Sequence, residues 1–133
     1  MITGVDHIGL AVKSIDETLE KWTVVFGARE IGRREFPELG QTSALVLVGD
    51  AHFELMEPFG SEGVVPAFLE KHGEGFHHVS LHSDSLDTDR GVFEGGGVRI
   101  MCIPGEPVLF THPKTTNGVV FEITGGIDEE VGT

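Results

Sequence analysis

Two short stretches of the chain, VDHIGL at residues 5–10 and FHHVSL at residues 76–81, share one pattern and decide the fold. Each carries a histidine in its third position, His7 in the first stretch and His78 in the second. Apolar residues alternate with small or polar residues in both stretches, as in a strand that buries one face. This repetition indicates a duplicated unit, and the other motifs have to be interpreted within the duplication.

The duplication extends to the last strand of each half. The residues FEL at positions 53–55 correspond to FEI at positions 121–123. Glu54 follows His7 by 47 residues, and Glu122 follows His78 by 44 residues. Each half therefore contributes one histidine from its first strand and one glutamate from its last strand, at nearly the same interval.

The segments between these strands complete a βαβββ pattern in each half. In the first half Ser14 is predicted to cap a helix that ends at Gly27, and three strands follow over residues 28–36, 41–48 and 51–57. The second half repeats this order with a strand over 76–82, a helix over 85–94 and three more strands. We therefore predict an α+β fold in which two tandem βαβββ modules form a cupped mixed sheet around a metal cleft.

A chain of this length is expected to form a single domain. In the segment between the modules, Pro66 is predicted to open a short helix that Gly73 and Gly75 close. The predicted divisions of the domain over residues 1–133 are module one at about 1–58, a connector at 59–75, module two at about 76–126 and an acidic tail at 127–133.

The composition limits the partners of the protein. The chain has 22 acidic and 9 basic residues and a net charge of −13, which argues against binding to nucleic acid. It contains no run of eighteen apolar residues and no charged-then-apolar leader, so we expect a cytoplasmic protein that does not enter a membrane. The single cysteine, Cys102, excludes an internal disulfide framework and suits a reducing compartment.

The four matched residues form a candidate metal site: His7, Glu54, His78 and Glu122. Alternation along each strand directs their side chains away from the apolar neighbours that pack against the helices. Two neutral imidazoles and two carboxylates suit a borderline divalent cation such as Zn, Co, Ni, Mn or Fe. A single histidine or glutamate on a strand is more often hydrogen-bonded or solvated, so the indication comes from the four positions together.

The remaining histidines are interpreted differently. His77 competes with His78 for the place in the second module, and alternation from Val79 and Leu81 favours His78. His82 shares a face with His78, which leaves a role beside the site open. The histidines without a counterpart in the repeat are interpreted as structural or surface residues: His52, His72, His82 and His112.

Four segments of the chain resemble the vicinal oxygen chelate superfamily, which includes glyoxalases, bleomycin resistance proteins and dioxygenases. Within it they are most similar to the methylmalonyl-CoA epimerase family. The segments are VDHIGLAVKSIDETLEKW at 5–22, FELMEP at 53–58, FLEKHGEGFHHVSL at 68–81 and THPKTTNGVVFEI at 111–123. The most specific pieces are GEGFHHV and HPKTTNGVVFE, and the resemblance spans most of the chain.

The resemblance implies a function and roles for particular residues. Members of the family invert the α-carbon of methylmalonyl-CoA, and the resemblance makes the four matched residues the ligands of a divalent metal. It implies that Glu122 is also one of two bases, and that Glu38, in the turn PELG at residues 37–40, is the second. It further implies an acyl-CoA thioester as the substrate and a homodimer as the assembly.

The chain departs from the family in two places. The family has a basic, glycine-rich stretch between its sixth and seventh strands, whereas this chain has the short IPGEP at residues 103–107. After PELG it has Gln41-Thr42-Ser43 in place of the family's usual valine and basic residue. The departures leave the acyl group and its carrier open. The alternatives are a glyoxalase I-like lyase or another metal-dependent isomerase acting on a non-CoA substrate, for which Glu54 is suited, and a non-catalytic binding protein.

Overall fold

The computed structural model describes residues 1–103 and 106–125, which form three α-helices and eight β-strands. The elements follow in the order βαβββ, a helix, and βαβββ again, so the α+β class and the duplicated pattern are confirmed. The acidic tail predicted at 127–133 lies outside the described residues. The elements are β1 Ile2–Ala11, α1 Ile15–Phe26, β2 Arg29–Phe36, β3 Gln41–Val48, β4 Ala51–Pro58, α2 Val64–His72, β5 Gly75–Ser83, α3 Leu86–Gly95, β6 Ile100–Cys102, β7 Val108–Thr111 and β8 Phe121–Thr124.

The chain divides into two compact units. The first-half unit comprises residues 9–77, and the second-half unit comprises residues 1–8 together with residues 78–125. The division cuts through β1 and β5, so the compact units do not follow the boundaries of the sequence repeat. No helix in the described part of the chain combines the length and the apolar surface that crossing a membrane requires.

In the first-half unit, β2, β3 and β4 pair antiparallel in that order, and the last residues of β1 lie beside β4. Helix α1 begins and ends as predicted. The Ser14 hydroxyl accepts a hydrogen bond from the Glu17 backbone N–H, and Gly27 ends the helix with a left-handed φ of 68°. The Glu57 carboxylate accepts a further hydrogen bond, 2.7 Å long, from the backbone N–H of Ile15, which fastens α1 to β4.

Helix α2 begins at Val64, two residues before the predicted start at Pro66. Proline in the first turn of a helix is tolerated because the N–H groups there have no partner within the helix. Gly73 ends the helix as predicted. Val65 of α2 is fully buried against Met56 of β4, so this helix covers the opposite face of β4 from α1.

In the second-half unit, the strand order is β5, β8, β7 and β6, and the first residues of β1 lie beside β5. The β5–β8 pair is parallel, whereas β8–β7 and β7–β6 are antiparallel, so the sheet of this unit is mixed. Helix α3 begins after Ser85, whose hydroxyl caps it, and continues through Gly91 as predicted. Strand β6 has only three residues, and the glycines that precede it form a turn in which Gly97 has a φ of 88°.

Candidate metal centre

The two histidines of the repeated pattern meet in the second-half unit. His7 lies on β1 and His78 on β5, and both residues are almost completely buried, at 3% and 4% exposure. Their Nε2 atoms are 3.3 Å apart, and the two rings are nearly perpendicular. Two imidazole nitrogens this close need a hydrogen or a cation between them, because two facing lone pairs repel each other.

Glu122 joins the histidine pair from the neighbouring strand. Parallel pairing of β5 with β8 sets Glu122 opposite Ser80, two residues beyond His78. One carboxylate oxygen of Glu122, Oε2, lies 3.5 Å from Nε2 of His78. The other, Oε1, accepts a long hydrogen bond of 3.4 Å from the hydroxyl of the fully buried Ser80. Three of the four residues proposed from the sequence therefore lie together in this unit.

The separations of these donor atoms fit a shared metal ion. Bonds of about 2.0–2.2 Å from one ion to nitrogen and oxygen ligands place neighbouring ligand atoms roughly 3.0–3.5 Å apart. The observed distances of 3.3 Å between the His7 and His78 nitrogens and 3.5 Å between His78 and Glu122 fall in this range. Imidazole nitrogen with carboxylate oxygen is also a donor set that borderline divalent cations accept.

The position of Glu122 follows from the alternation of β8. Ile123, the next residue, is 1% exposed and belongs to the apolar core, where it is paired with the buried Leu109 of β7. Successive side chains of a strand point to opposite faces, so burying Ile123 on one face sends Glu122 to the other. The sequence pattern predicted this separation of faces.

Sequence reasoning missed one polar residue of this cluster. Oδ2 of Asp6 lies 3.0 Å from Nδ1 of His7, and the side chains of Asp6 and His7 are only 6% and 4% exposed. The signal was present in the sequence. Alternation puts Asp6 on the same face of β1 as the apolar Ile8 and Leu10, and a carboxylate on such a face requires a polar partner.

Glu54 belongs to the first-half unit. It lies on β4 opposite Leu45 of β3 and is half-buried. The following residue, Leu55, is fully buried in the core beneath α1, so Glu54 faces away from that helix. Glu54 therefore occupies in β4 the place that Glu122 occupies in β8, between apolar neighbours that pack on the opposite face.

Glu38 also belongs to the first-half unit, in a short 3-10 turn over Pro37–Leu39 between β2 and β3. Glu38 is exposed to solvent. The turn ends at Gly40, which has a φ of 70° and approaches the backbone around Gly63 so closely that a Cβ at either glycine would clash with a carbonyl oxygen. The backbone carbonyl of Gly40 also accepts a hydrogen bond from the Phe59 N–H. The turn that carries Glu38 is thus held by backbone contacts.

The contacts of three other histidines are structural. The His82 ring bonds to the Thr3 hydroxyl and to the Gly125 carbonyl oxygen. The His112 ring accepts a hydrogen bond from the Lys114 backbone N–H and caps the 3-10 turn that follows. His77, which competed with His78 in the sequence, packs against the Phe68 ring of α2 within the first-half unit.

Comparison with known proteins identifies the family. The model of the glyoxalase/bleomycin resistance protein/dioxygenase superfamily matches residues 6–111. The mitochondrial methylmalonyl-CoA epimerase of Dictyostelium discoideum is 30% identical over 125 residues, covering 89% of this chain and 75% of that protein.

Solved structures agree with the sequence relatives. The crystal structure of methylmalonyl-CoA epimerase from Mycobacterium tuberculosis superimposes with a TM-score of 0.84 at 27% identity, covering 96% of this chain and 91% of that one. A variant of the Streptomyces coelicolor methylmalonyl-CoA epimerase in complex with 2-nitronate-propionyl-CoA superimposes with a TM-score of 0.80 at 28% identity, covering 92% and 96%. This chain belongs to the glyoxalase/bleomycin resistance protein/dioxygenase superfamily, and its relatives there include methylmalonyl-CoA epimerases.

Proposed function

We propose that the protein is a divalent-metal-dependent epimerase of methylmalonyl-CoA. The observation that carries the proposal is the buried cluster of His7, His78 and Glu122, whose donor atoms have the separations of ligands to one ion. The relatives support the reaction, because both the sequence relative and the structural neighbours are methylmalonyl-CoA epimerases.

The metal ligands in this proposal are His7, Glu54, His78 and Glu122. Three of them lie together in the second-half unit, and the equivalent positions of Glu54 on β4 and Glu122 on β8 support the fourth. Imidazole and carboxylate ligands suit Co, Zn, Ni, Mn or Fe, so the donor set leaves the metal identity open among these ions. When bound, such an ion supplies Lewis acidity toward carbonyl and carboxylate oxygens.

The proton transfers are assigned to two glutamates. The α-proton of methylmalonyl-CoA lies between a thioester carbonyl and a carboxylate, so its removal leaves a planar enolate. Inversion requires that one base remove the α-proton from one face and that a carboxylic acid on the opposite face deliver a different proton to the α-carbon. We assign these two faces to Glu122 and Glu38, whose roles exchange when the reaction runs in the other direction. A general base has to be held within hydrogen-bond reach of the proton that it removes. The backbone contacts that fix the turn of Glu38 support this role, because they restrict the position of the residue.

The substrate, the assembly, the cellular location and the domain organisation are also assigned. We propose an acyl-CoA thioester as substrate, a homodimer as the assembly, a cytoplasmic location and a single domain over the whole chain. The net charge of −13 and the short IPGEP segment at residues 103–107 leave the acyl group and its carrier open.

Exchange of the α-proton with solvent tests the reaction directly. Cobalt-loaded protein is incubated with methylmalonyl-CoA in D₂O, and deuterium at C2 is followed by NMR, with an EDTA-treated sample as control. We expect fast exchange that requires metal. Absence of exchange in protein that binds metal would refute the methylmalonyl-CoA assignment and would favour the glyoxalase I-like lyase, which Glu54 suits.

Variants of the two bases test their roles. A positioned general base contributes about 10²–10⁴-fold to a rate, so Glu38→Gln and Glu122→Gln should each slow epimerisation by such a factor. Glu38→Gln should keep the metal affinity of the wild type, since Glu38 is not among the proposed ligands. The exposed Glu35→Gln is the matched control and should keep the full rate. Wild-type epimerisation in Glu38→Gln would remove Glu38 from the mechanism.

A further inference from the structure

The carboxylate of Asp6 is buried beside the metal centre without being one of its proposed ligands. Its Oδ2 atom lies 3.0 Å from Nδ1 of His7, and the Asp6 side chain is 6% exposed. Burial of an ionised carboxylate is costly unless it accepts hydrogen bonds. The contact with His7 therefore stabilises Asp6 as well as holding the imidazole.

This contact selects one form of the imidazole. A neutral histidine carries its hydrogen on one ring nitrogen and a lone pair on the other. A carboxylate accepts hydrogen bonds, so His7 donates its Nδ1–H to Asp6 and the lone pair resides on Nε2. Nε2 is the atom that lies 3.3 Å from Nε2 of His78. The pair of Asp6 and His7 thus presents a ligand nitrogen on the side where the other donors lie.

We propose that Asp6 is a positioning residue that fixes the tautomer and the ring orientation of His7 for metal binding. The proposal rests on the metal site of the proposed function and extends it to a residue outside the ligand set. Carboxylates that accept the second N–H of a ligand histidine raise its basicity, and their loss typically costs about 10–100-fold in metal affinity. The proposal therefore concerns how tightly the metal is held.

Two quantities test the role of Asp6: the affinity of the protein for metal and the tautomer of His7. Cobalt affinity is measured by competition with a chelator, and the visible absorption of the bound cobalt reports its coordination. Asp6→Ala should weaken cobalt binding about 10–100-fold. Asp6→Asn keeps an oxygen that accepts from Nδ1–H but loses the charge, so it should fall between Asp6→Ala and the wild type. The exposed Asp50→Ala is the matched control and should bind cobalt as the wild type does.

The tautomer is read in the metal-free protein by two-bond nitrogen–proton NMR of the histidine rings. His7 should carry its hydrogen on Nδ1 in the wild type and in Asp6→Asn, whereas Asp6→Ala should show a mixture of both tautomers. A residue that only stabilised the fold would leave the tautomer unchanged. If Asp6→Ala does not fold, the wild-type tautomer and the affinity of Asp6→Asn carry the test.

The outcomes separate this proposal from the proposed function. Cobalt affinity in Asp6→Ala within twofold of the wild type, or an Nε2–H tautomer of His7 in the wild type, overturns the role of Asp6 even if the wild type epimerises methylmalonyl-CoA. Weakened cobalt binding in the variants, in a protein that shows no α-proton exchange, supports the role of Asp6 while the epimerase assignment fails. A wild type that binds no divalent metal overturns both.

Discussion

Two neighbouring residues on β8 should separate the stability of the fold from the affinity of the metal centre. Ile123 lies in the core and is 1% exposed. The preceding residue, Glu122, faces the histidine pair, and its side chain is 13% exposed. Ile123→Ala removes core packing and leaves every proposed ligand in place. Glu122→Ala removes a proposed ligand and leaves the core in place. Ile123→Ala should therefore lower the stability of the metal-free protein, whereas Glu122→Ala should lower the stabilisation that bound metal adds.

The expected sizes follow from burial and from mass action. Replacement of a fully buried isoleucine by alanine costs about 2–5 kcal/mol of unfolding free energy. Metal at a hundred times its dissociation constant adds about 2.7 kcal/mol to the native state. If loss of Glu122 weakens metal binding a hundredfold, the same concentration adds only about 0.4 kcal/mol. Without metal, the unfolding free energy of Glu122→Ala should lie within about 1 kcal/mol of the wild-type value, because truncation of the Glu122 side chain leaves no cavity in the apolar core.

Urea unfolding followed by circular dichroism, with EDTA and then with a fixed free concentration of Co²⁺, measures both quantities. We expect Ile123→Ala to lose several kcal/mol in EDTA and to gain as much from cobalt as the wild type does. We expect Glu122→Ala to keep its stability in EDTA and to lose most of the gain from cobalt. The reasoning is refuted if cobalt stabilises Glu122→Ala as much as the wild type, or if the two variants lose equal stability in EDTA.

Three further predictions concern stability. In urea titrations, Glu57→Ala should lower the unfolding free energy by about 1.5–3 kcal/mol, because the Glu57 carboxylate accepts a hydrogen bond from the first N–H of α1. Glu57→Gln keeps an oxygen that can accept this bond, so it should lower the unfolding free energy by less. Gly63→Ala should destabilise by at least about 1 kcal/mol, whereas Gly49→Ala, also at positive φ but in open space, should cost less; equal losses would contradict the backbone contact at Gly63. The hydrogen bond from the Ser83 hydroxyl lowers the pKa of Asp89 in the folded protein. Ionised Asp89 therefore adds stability above its unfolded pKa of about 4, and this stability is lost as the pH falls through the lower folded pKa. Asp89→Asn should shrink the difference between urea midpoints at neutral pH and at the acid end of that window, and an unchanged difference would contradict the assignment.

Much of the fold follows from local patterns in the sequence. Strand β3 runs over Gln41–Val48 as predicted, and α1 lies between its predicted caps at Ser14 and Gly27. These elements were predictable because strand alternation and helix caps act between residues close in sequence. The pairing of His7 with His78 was predictable for another reason, because the two halves of the chain repeat the same sequence pattern.

Other features depended on contacts that a local pattern does not contain. Alternation indicates that Asp6 needs a polar partner, but it assigns the neighbouring His7 to the opposite face and so does not identify His7 as that partner. The start of α2 depended on the conformation of Gly63, which has a φ of 124° and approaches the turn of Glu38. The roles of Glu54 and Glu38 in the site stay predictions.

The division of the chain into units has a consequence for how the protein folds. His7 and His78 are 71 residues apart in sequence, yet they meet inside one unit whose first eight residues come from the opposite end of the chain. Contacts between such distant segments form slowly, because a long loop has to close before they contribute stability. During synthesis the amino-terminal strand must stay available until the second half of the chain has emerged. The histidine pair therefore cannot guide early folding, and its formation reports that the first strand has met the second half of the chain.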